Sequence, residues 1–210
     1  MIFDEAGPLH KVVQGYVAVV DVEGFSEFCA QSDGSNLPQT VARTLVQLTD
    51  FKLNLWNELF LSDGTALRFP DFRKFTGDGL IIIWKEKPED GTDFGERIVR
   101  ALRLLQERFS EFIRALHTEN DATLPNRIRV GISRGGLFPV KTTGGSGDPD
   151  DFVGYVINLA CRIQTLRCGF VVTEHVLAPL APERLGMSRI LLPELKGCRA
   201  RTAYVFPEDV

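Results

Sequence analysis

The chain has 210 residues, and its 24 lysines and arginines against 28 aspartates and glutamates give a formal net charge of −4. Hydrophobic residues make up 44% of the chain and charged residues 25%, which is ordinary globular usage and excludes a disordered, collagen-like or coiled-coil protein. The mild acidity argues against a protein that coats nucleic acid, because the phosphate backbone requires a basic surface.

The sequence shows no targeting signal and no membrane span. The acidic N-terminus lacks the apolar stretch of a signal peptide, and the apolar run 80–84 is far shorter than the ~20 residues of a membrane span. The four cysteines form no C-x-x-C pair, which favours reduced thiols over disulfides or zinc ligands: Cys29, Cys161, Cys168 and Cys198. We therefore expect a cytoplasmic protein in which residues 1–210 form a single domain, with neither nucleic acid nor a membrane as a partner.

The first half of the chain predicts a strand, two helices and a hairpin. The apolar, β-branched run 16–21 is typical of a buried strand, and a short helix opens after Gly24. Apolar residues recur at helical spacing over 38–60. Within 73–84, the turn sequence 76–79 joins an extended arm to an apolar run, which predicts a hairpin.

The second half adds helices and strands. In order, the pattern predicts a helix over 94–117 with arginines on its outer side, a strand over 127–132, a turn at 134–136 back into 137–140, a loop over 142–151, a helix over 152–166, and strands over 170–172 and 203–206. This order predicts an α+β fold, with an antiparallel-rich sheet covered by helices.

Two carboxylates stand at the ends of apolar strands. Asp21 closes the first strand and Asp78 lies in the Gly-flanked hairpin turn. If the two tips are neighbours in one sheet, the carboxylates converge and describe a Mg²⁺ or Mn²⁺ site for phosphoryl transfer. Taken separately, each has an equal structural explanation, Asp21 as a helix cap and Asp78 as the Asp-Gly of a turn.

Two further features favour an anionic ligand. Gly24 and Phe25 follow Asp21 within four residues, so free backbone N–H groups at a helix start would face a polyphosphate. Asp151, Asn158 and Arg162 are spaced to share one face of a helix or its beginning. The opposite side is apolar and is expected to pack inward: Val153, Val156, Ile157, Ala160 and Ile163. On such a helix Arg162 could stabilise charge on a phosphoryl group, and Asn158 could orient a sugar.

From about residue 16 to residue 206 the chain resembles the class III nucleotide cyclase catalytic domain. The segments that carry the resemblance occur in the family's order: 21–26 (DVEGFS), 74–79 (KFTGDG), 129–132 (RVGI), 151–162 (DFVGYVINLACR) and 195–204 (LKGCRARTAY). The resemblance implies a ferredoxin-like βαββαβ core with extra strands. The hairpin does not resemble the Gly-Gly-acidic-acidic-Phe hairpin of diguanylate cyclases.

The resemblance also implies a role for each matched position. Asp21 and Asp78, with the carbonyl of Val22, would hold two Mg²⁺ or Mn²⁺ ions. The others would bind substrate: Asn158 the ribose, Arg162 the transition state, Lys74 and Asp151 the base, and Arg129, Gly24 and Phe25 the polyphosphate. Cys198 replaces a second triphosphate-binding residue of the family, and its neighbour Arg199 is the candidate substitute. Family members place the site between two head-to-tail domains, which implies a homodimer with two shared sites.

The base is left open between pyrimidines and adenine. Lys74 and Asp151 match the pair found in adenylate cyclases, yet the same two groups can also pair with uracil or cytosine. Four aromatic residues either narrow the base pocket or belong to the core: Phe72, Phe75, Phe152 and Tyr155. As a bare catalytic domain the chain is similar to the stand-alone pyrimidine cyclases of bacterial anti-phage (Pycsar) defence. That favours cUMP or cCMP synthesis, a second messenger for a separate effector, over cAMP synthesis or an inactive nucleotide-sensing module.

Overall fold

The structure is a computed structural model, and it describes residues 11–30, 46, 67–117, 124–125, 127–141, 149–179 and 181–209. Apart from residue 46, the helix predicted over 38–60 lies outside the described residues.

An eight-stranded sheet organises the described residues. Its strands are β1 (Val13–Glu23), β2 (Phe72–Phe75), β3 (Leu80–Lys85), β4 (Arg127–Val140), β5 (Asp151–Val153), β6 (Phe170–Thr173), β7 (Ser188–Leu191) and β8 (Thr202–Val205). The helices are α1 (Phe25–Ala30), α2 (Phe94–His117), α3 (Tyr155–Gln164) and α4 (Ala181–Arg184). The strand order is β2-β3-β1-β4-β6-β8-β7, with β5 paired to β4. Among the strands of the described residues, only the β4–β6 pair is parallel. The predicted α+β, antiparallel-rich fold is confirmed.

The central strand β1 separates two apolar layers. Its side chains alternate between the faces of the sheet, as a pleated strand requires. One face of β1 packs in the cluster that contains the buried side of α2, through Tyr16, Ala18, Val20 and Val22. Val17 and Val19 pack in a second cluster with residues of α3. By the same alternation, Asp21 lies on the α3 side of the sheet.

The turn predicted at 134–136 is wrong, because residues 127–140 form one continuous strand, β4. Gly135 and Gly136, predicted as a turn, pair with Gly15 and Gln14 of β1 in extended conformation. A different glycine of β4, Gly131, is needed for helix packing. A Cβ atom on Gly131 would come within 2.3 Å of the carbonyl oxygen of Ala160, so α3 lies directly against the strand backbone.

The predicted loop and helix around residue 151 also need correction. Asp151–Val153 is strand β5, paired with the end of β4, and α3 begins only at Tyr155. Asp151 therefore does not share a helix face with Asn158. Val153, expected to pack inward, is 54% exposed. Strand β7 and helix α4 were not predicted. Among the described residues, no helix is long and apolar enough to cross a membrane.

Candidate active site

The carboxylate of Asp21 is held from one side by two donors. Asp21 lies opposite Arg129 in the β1–β4 register, and Nη2 of Arg129 donates to Oδ2 at 2.7 Å. Nε2 of Gln164, at the end of α3, donates to the same oxygen at 2.9 Å. Because both donors use Oδ2, they fix the orientation of the carboxylate and leave Oδ1 on the side of the β2–β3 hairpin.

The hairpin tip lies against the end of β1. The N–H of Thr76 donates to the carbonyl of Gly79 at 3.0 Å and closes the turn that holds Asp78. A Cβ atom on Gly79 would lie 2.8 Å from the carbonyl oxygen of Val20 and 3.5 Å from Oδ1 of Asp21. This close approach requires glycine and brings the Asp78 backbone next to Asp21.

Val22 can offer only its backbone to a ligand, because its side chain is 4% exposed in the core. Carbonyl groups two residues apart on a strand point in the same direction. The Val20 carbonyl faces Gly79, so the Val22 carbonyl points to the same side. There the β1–β3 pairing has already ended, at Val20 and Leu80.

The donor set fits a metal ion that arrives with an anionic substrate. The described residues contain no cluster of three or more histidine, cysteine, aspartate or glutamate residues, so they form no closed cage for a structural metal. Mg²⁺ is ordinarily held by one or two carboxylates together with waters and substrate phosphates. Nε of Arg129 is buried and has no hydrogen-bond partner among the described residues, which leaves an unused donor beside Asp21. We call Asp21, Asp78, Arg129 and Gln164 the metal cluster.

Gly24 and Phe25 lie immediately after β1, beside the metal cluster. Gly24 has a φ of 82°, a conformation that favours glycine, and it turns the chain from β1 into α1. Phe25 begins α1 and packs its ring against the core on the α2 side. Only the backbone of these residues is therefore oriented for a ligand.

Lys74 and Asp151, which are 77 residues apart, form an ion pair. Nζ of Lys74 lies 2.5 Å from Oδ2 of Asp151, and Oδ1 of Asp151 accepts from the N–H of Phe152 at 2.8 Å. The hydrogen bond from Lys74 lowers the pKa of Asp151 below its ordinary value, against a smaller opposing effect of burial. The side chains are 49% and 39% exposed, so both groups remain open to a ligand.

The aromatic residues near this pair separate into two kinds. Phe72 and Phe152 meet edge to face with their ring centres 5.3 Å apart, and Phe152 is buried in the core. Phe75 is 64% exposed and Tyr155 45% exposed. Phe152 therefore belongs to the core, and Phe72, which packs against it, lies two residues before Lys74 on the same face of β2.

Asn158 and Arg162 lie on the exposed side of α3, together with Tyr155. The three occupy positions i, i+3 and i+7, and all are exposed, which puts them in one stripe along the helix. The opposite side is buried and holds Val156, Leu159, Ala160, Ile163 and Gln164. We call Tyr155, Asn158 and Arg162 the α3 face.

Tyr155 connects the α3 face to Arg199. Its hydroxyl accepts from the backbone N–H of Arg199 at 2.5 Å and from that of Ala200 at 3.2 Å. The segment before β8 is thereby held at the start of α3, with the Arg199 side chain exposed. The backbone of Arg199, the candidate substitute predicted from the sequence, is thus fixed beside the α3 face.

Sequence reasoning missed Gln164 and the hydroxyl contact of Tyr155. Gln164 is 5% exposed and stands one residue after an inward-facing isoleucine. A polar side chain on the buried side of a helix must find a hydrogen-bond partner, and that signal could have identified it. Its partner, Asp21, could not be read from the sequence, because 143 residues separate them.

Comparison with solved structures shows the fold. The chain is similar to the adenylyl cyclase CyaB from P. aeruginosa, with 17% identity, a TM-score of 0.68 and coverage of 93% of this chain and 94% of that one. It is also similar to the guanylyl cyclase Cya2, with 14% identity, a TM-score of 0.63 and coverage of 93% and 92%. No protein-family model and no curated protein sequence matches it. The chain thus has the class III nucleotide cyclase fold, as the sequence resemblance implied.

Proposed function

We propose that this protein is a metal-dependent nucleotide cyclase, which converts a nucleoside triphosphate into a 3′,5′-cyclic nucleotide and pyrophosphate. The observation that carries the proposal is the convergence of β1 and the β2–β3 hairpin at Asp21, beside the unused donor of Arg129. In the reaction the ribose 3′-oxygen bonds to the α-phosphorus, the bond from that phosphorus to the bridging oxygen breaks, and the 3′ proton passes to solvent.

The residues of the metal cluster would bind the cation and the phosphates. Asp21, Asp78 and the Val22 carbonyl would hold Mg²⁺ or Mn²⁺, which when bound makes the 3′-hydroxyl more acidic and neutralises the triphosphate. Arg129 would donate to the polyphosphate, with the backbone of Gly24 and Phe25 beside it. Gln164 would keep the Asp21 carboxylate oriented towards the hairpin.

The α3 face would act on the substrate of a second protomer. Asn158 would orient the ribose and Arg162 would stabilise charge on the transferring phosphoryl group. Both are exposed, while the inner side of the same helix holds Asp21 of its own chain. This two-sided use of α3 supports a head-to-tail homodimer, in which each site combines the metal cluster of one protomer with the α3 face of the other.

For the base we propose a pyrimidine, uracil or cytosine, with adenine as the alternative. The Lys74–Asp151 pair offers one donor and one acceptor, which suits all three bases. Phe72 lies on the same face of β2 as Lys74 and is held in place by Phe152, and a fixed aromatic ring next to Lys74 supports the smaller base. The product, cUMP or cCMP, would then be a second messenger that acts on a separate effector in anti-phage defence.

A substrate comparison tests the activity and the base together. Purified protein is incubated separately with ATP, GTP, CTP and UTP in Mn²⁺, and the cyclic product is identified by mass spectrometry. We expect UTP or CTP to be cyclised fastest. Turnover of ATP alone would support the cyclase activity but refute the pyrimidine assignment. No turnover of any nucleotide would favour an inactive nucleotide-sensing module.

Mixing two inactive variants tests the shared site. D21A retains an intact α3 face, and R162A retains an intact metal cluster. A heterodimer of the two has one intact site out of two, so random exchange should restore about a quarter of wild-type activity. A mixture as inactive as its components would contradict the shared site, and D21A mixed with D78A serves as the control that cannot be rescued.

A further inference from the structure

A cavity of about 400 Å³ lies between the start of α3, β6 and the segment that precedes β8. Its lining includes Tyr155, Thr173, Arg199 and Arg201. The volume falls within the range of ordinary small-molecule sites. The lining contains none of the carboxylates of the metal cluster and neither member of the Lys74–Asp151 pair. We call it the β6 cavity.

The charge of the β6 cavity favours an anion. Its lining contains three arginines, Arg134, Arg199 and Arg201, but only one carboxylate, that of Glu174. Arg134 is already paired with Glu86 outside the cavity. No carboxylate among the described residues forms an ion pair with Arg199 or Arg201, so two guanidinium groups remain available.

Thr173 supplies an independent sign of a ligand. It is 2% exposed, and within the described part of the chain its hydroxyl has no hydrogen-bond partner. A threonine at this position would ordinarily cap the short helical turn that follows it, yet no such cap forms. A buried hydroxyl without a partner costs free energy, which a ligand in the cavity could recover.

The start of α3 adds a favourable electrostatic field. The helix has ten residues, and its N-cap is Gly154, with no side chain to accept from the first amide groups. Tyr155 and Val156 bring that helix start to the cavity wall. Amide groups and the helix dipole at such a start favour negative charge.

We propose that the β6 cavity binds the phosphate group of a small molecule, with the guanidinium groups of Arg199 and Arg201 and the hydroxyl of Thr173 as its donors. The resemblance to the cyclase family also assigns Arg199 to the substrate polyphosphate, and the next effect rests on the proposed function. A ligand in the cavity would then compete for Arg199 and raise the KM for the nucleotide. Binding itself does not depend on the cyclase activity.

Calorimetric titration of the metal-free protein tests the binding. The two ligands are inorganic phosphate and a nucleoside 5′-monophosphate, which distinguish a free ion from a phosphate carried by a larger molecule. R201Q should weaken binding about tenfold, because it removes a charge-assisted hydrogen bond. T173V should weaken it several-fold without lowering Tm, since the hydroxyl makes no bond in the ligand-free protein.

A control variant locates the binding. R167Q removes an exposed arginine outside the cavity and should leave the affinity unchanged. Unchanged affinity in both R201Q and T173V would overturn the proposal. Weakening by R167Q equal to that by R201Q would indicate nonspecific attraction, and failure of both ligands to bind would mean that there is no site; each of these results also overturns the proposal.

Discussion

Gln164 and Arg162 stand two residues apart on α3 and meet opposite surroundings. Gln164 is buried and holds the Asp21 carboxylate at 2.9 Å, whereas Arg162 is exposed. The metal cluster is therefore organised within one chain, because its donors come from strands and a helix that pack together. In the described part of the chain the side chains of Asn158 and Arg162 are exposed and are available to another molecule. The contrast agrees with the proposed shared site, in which one chain would prepare the metal-binding part and present the other part to a second protomer.

The largest effect is expected from loss of charge in the metal cluster. D21N and D78N keep side-chain size but remove a negative charge that a divalent cation requires. Since metal ions supply several kcal/mol to such transition states, turnover should fall at least about 10³-fold. Product formation is measured in Mn²⁺, with thermal unfolding as the check on folding. If the folded variants turned over at a near-normal rate, the metal cluster would not be needed for catalysis and the proposed mechanism would be wrong.

On the α3 face, R162A should lower kcat by about 10²- to 10³-fold, the usual cost of losing one preorganised donor to a developing charge. The KM for the nucleotide should stay within about threefold of wild type, because the interaction forms mainly in the transition state. R167A removes an exposed arginine just beyond the helix and should leave both constants unchanged. A large rise in KM with normal kcat would make Arg162 a binding residue instead.

A smaller effect should follow from Q164L, which keeps the buried side chain apolar and similar in size. Substitution of a residue that orients a metal ligand typically lowers the affinity for the metal by about ten- to hundredfold. The half-saturating Mn²⁺ concentration should rise accordingly, while kcat at saturating metal stays within a few-fold. A purely structural role for Gln164 would instead lower Tm and leave the metal dependence unchanged.

The smallest effect concerns the stability contributed by the Lys74–Asp151 pair. Because both side chains are substantially exposed, K74M should change the free energy of unfolding by no more than about 0.5 kcal/mol at neutral pH. The pKa of Asp151 is lowered in the folded protein, so any stabilisation is present at neutral pH and is lost as the pH falls through that lowered value. Chemical denaturation at pH 7 and in acid measures both. A larger loss would make the pair structural and weaken its assignment to the base.

The hairpin shows how far local sequence can predict the site. Gly77 and Gly79 around Asp78 predicted the turn, and the apolar run after it predicted β3, because both signals act over a few residues. The same reasoning misread Gly135 and Gly136 as a turn. There the strand continues, because Gly135 and Gly136 pair with Gly15 and Gln14 of β1, a contact with residues about 120 positions earlier in the chain.

The sequence by itself determined the class of fold, the strand that carries Asp21 and the helix that carries Asn158 and Arg162, because periodicity and turn residues act locally. The strand continues two residues past the end that the sequence predicted, to Glu23. Only the tertiary structure decided which residues meet. It paired Lys74 with Asp151 and set Gln164 and Arg129 on one oxygen of Asp21. It also left the Thr173 hydroxyl without a hydrogen-bond partner among the described residues, in the cavity that Arg199 and Arg201 line. Such contacts depend on strand register and on where α3 packs, and both follow from burying the two apolar layers of the whole sheet.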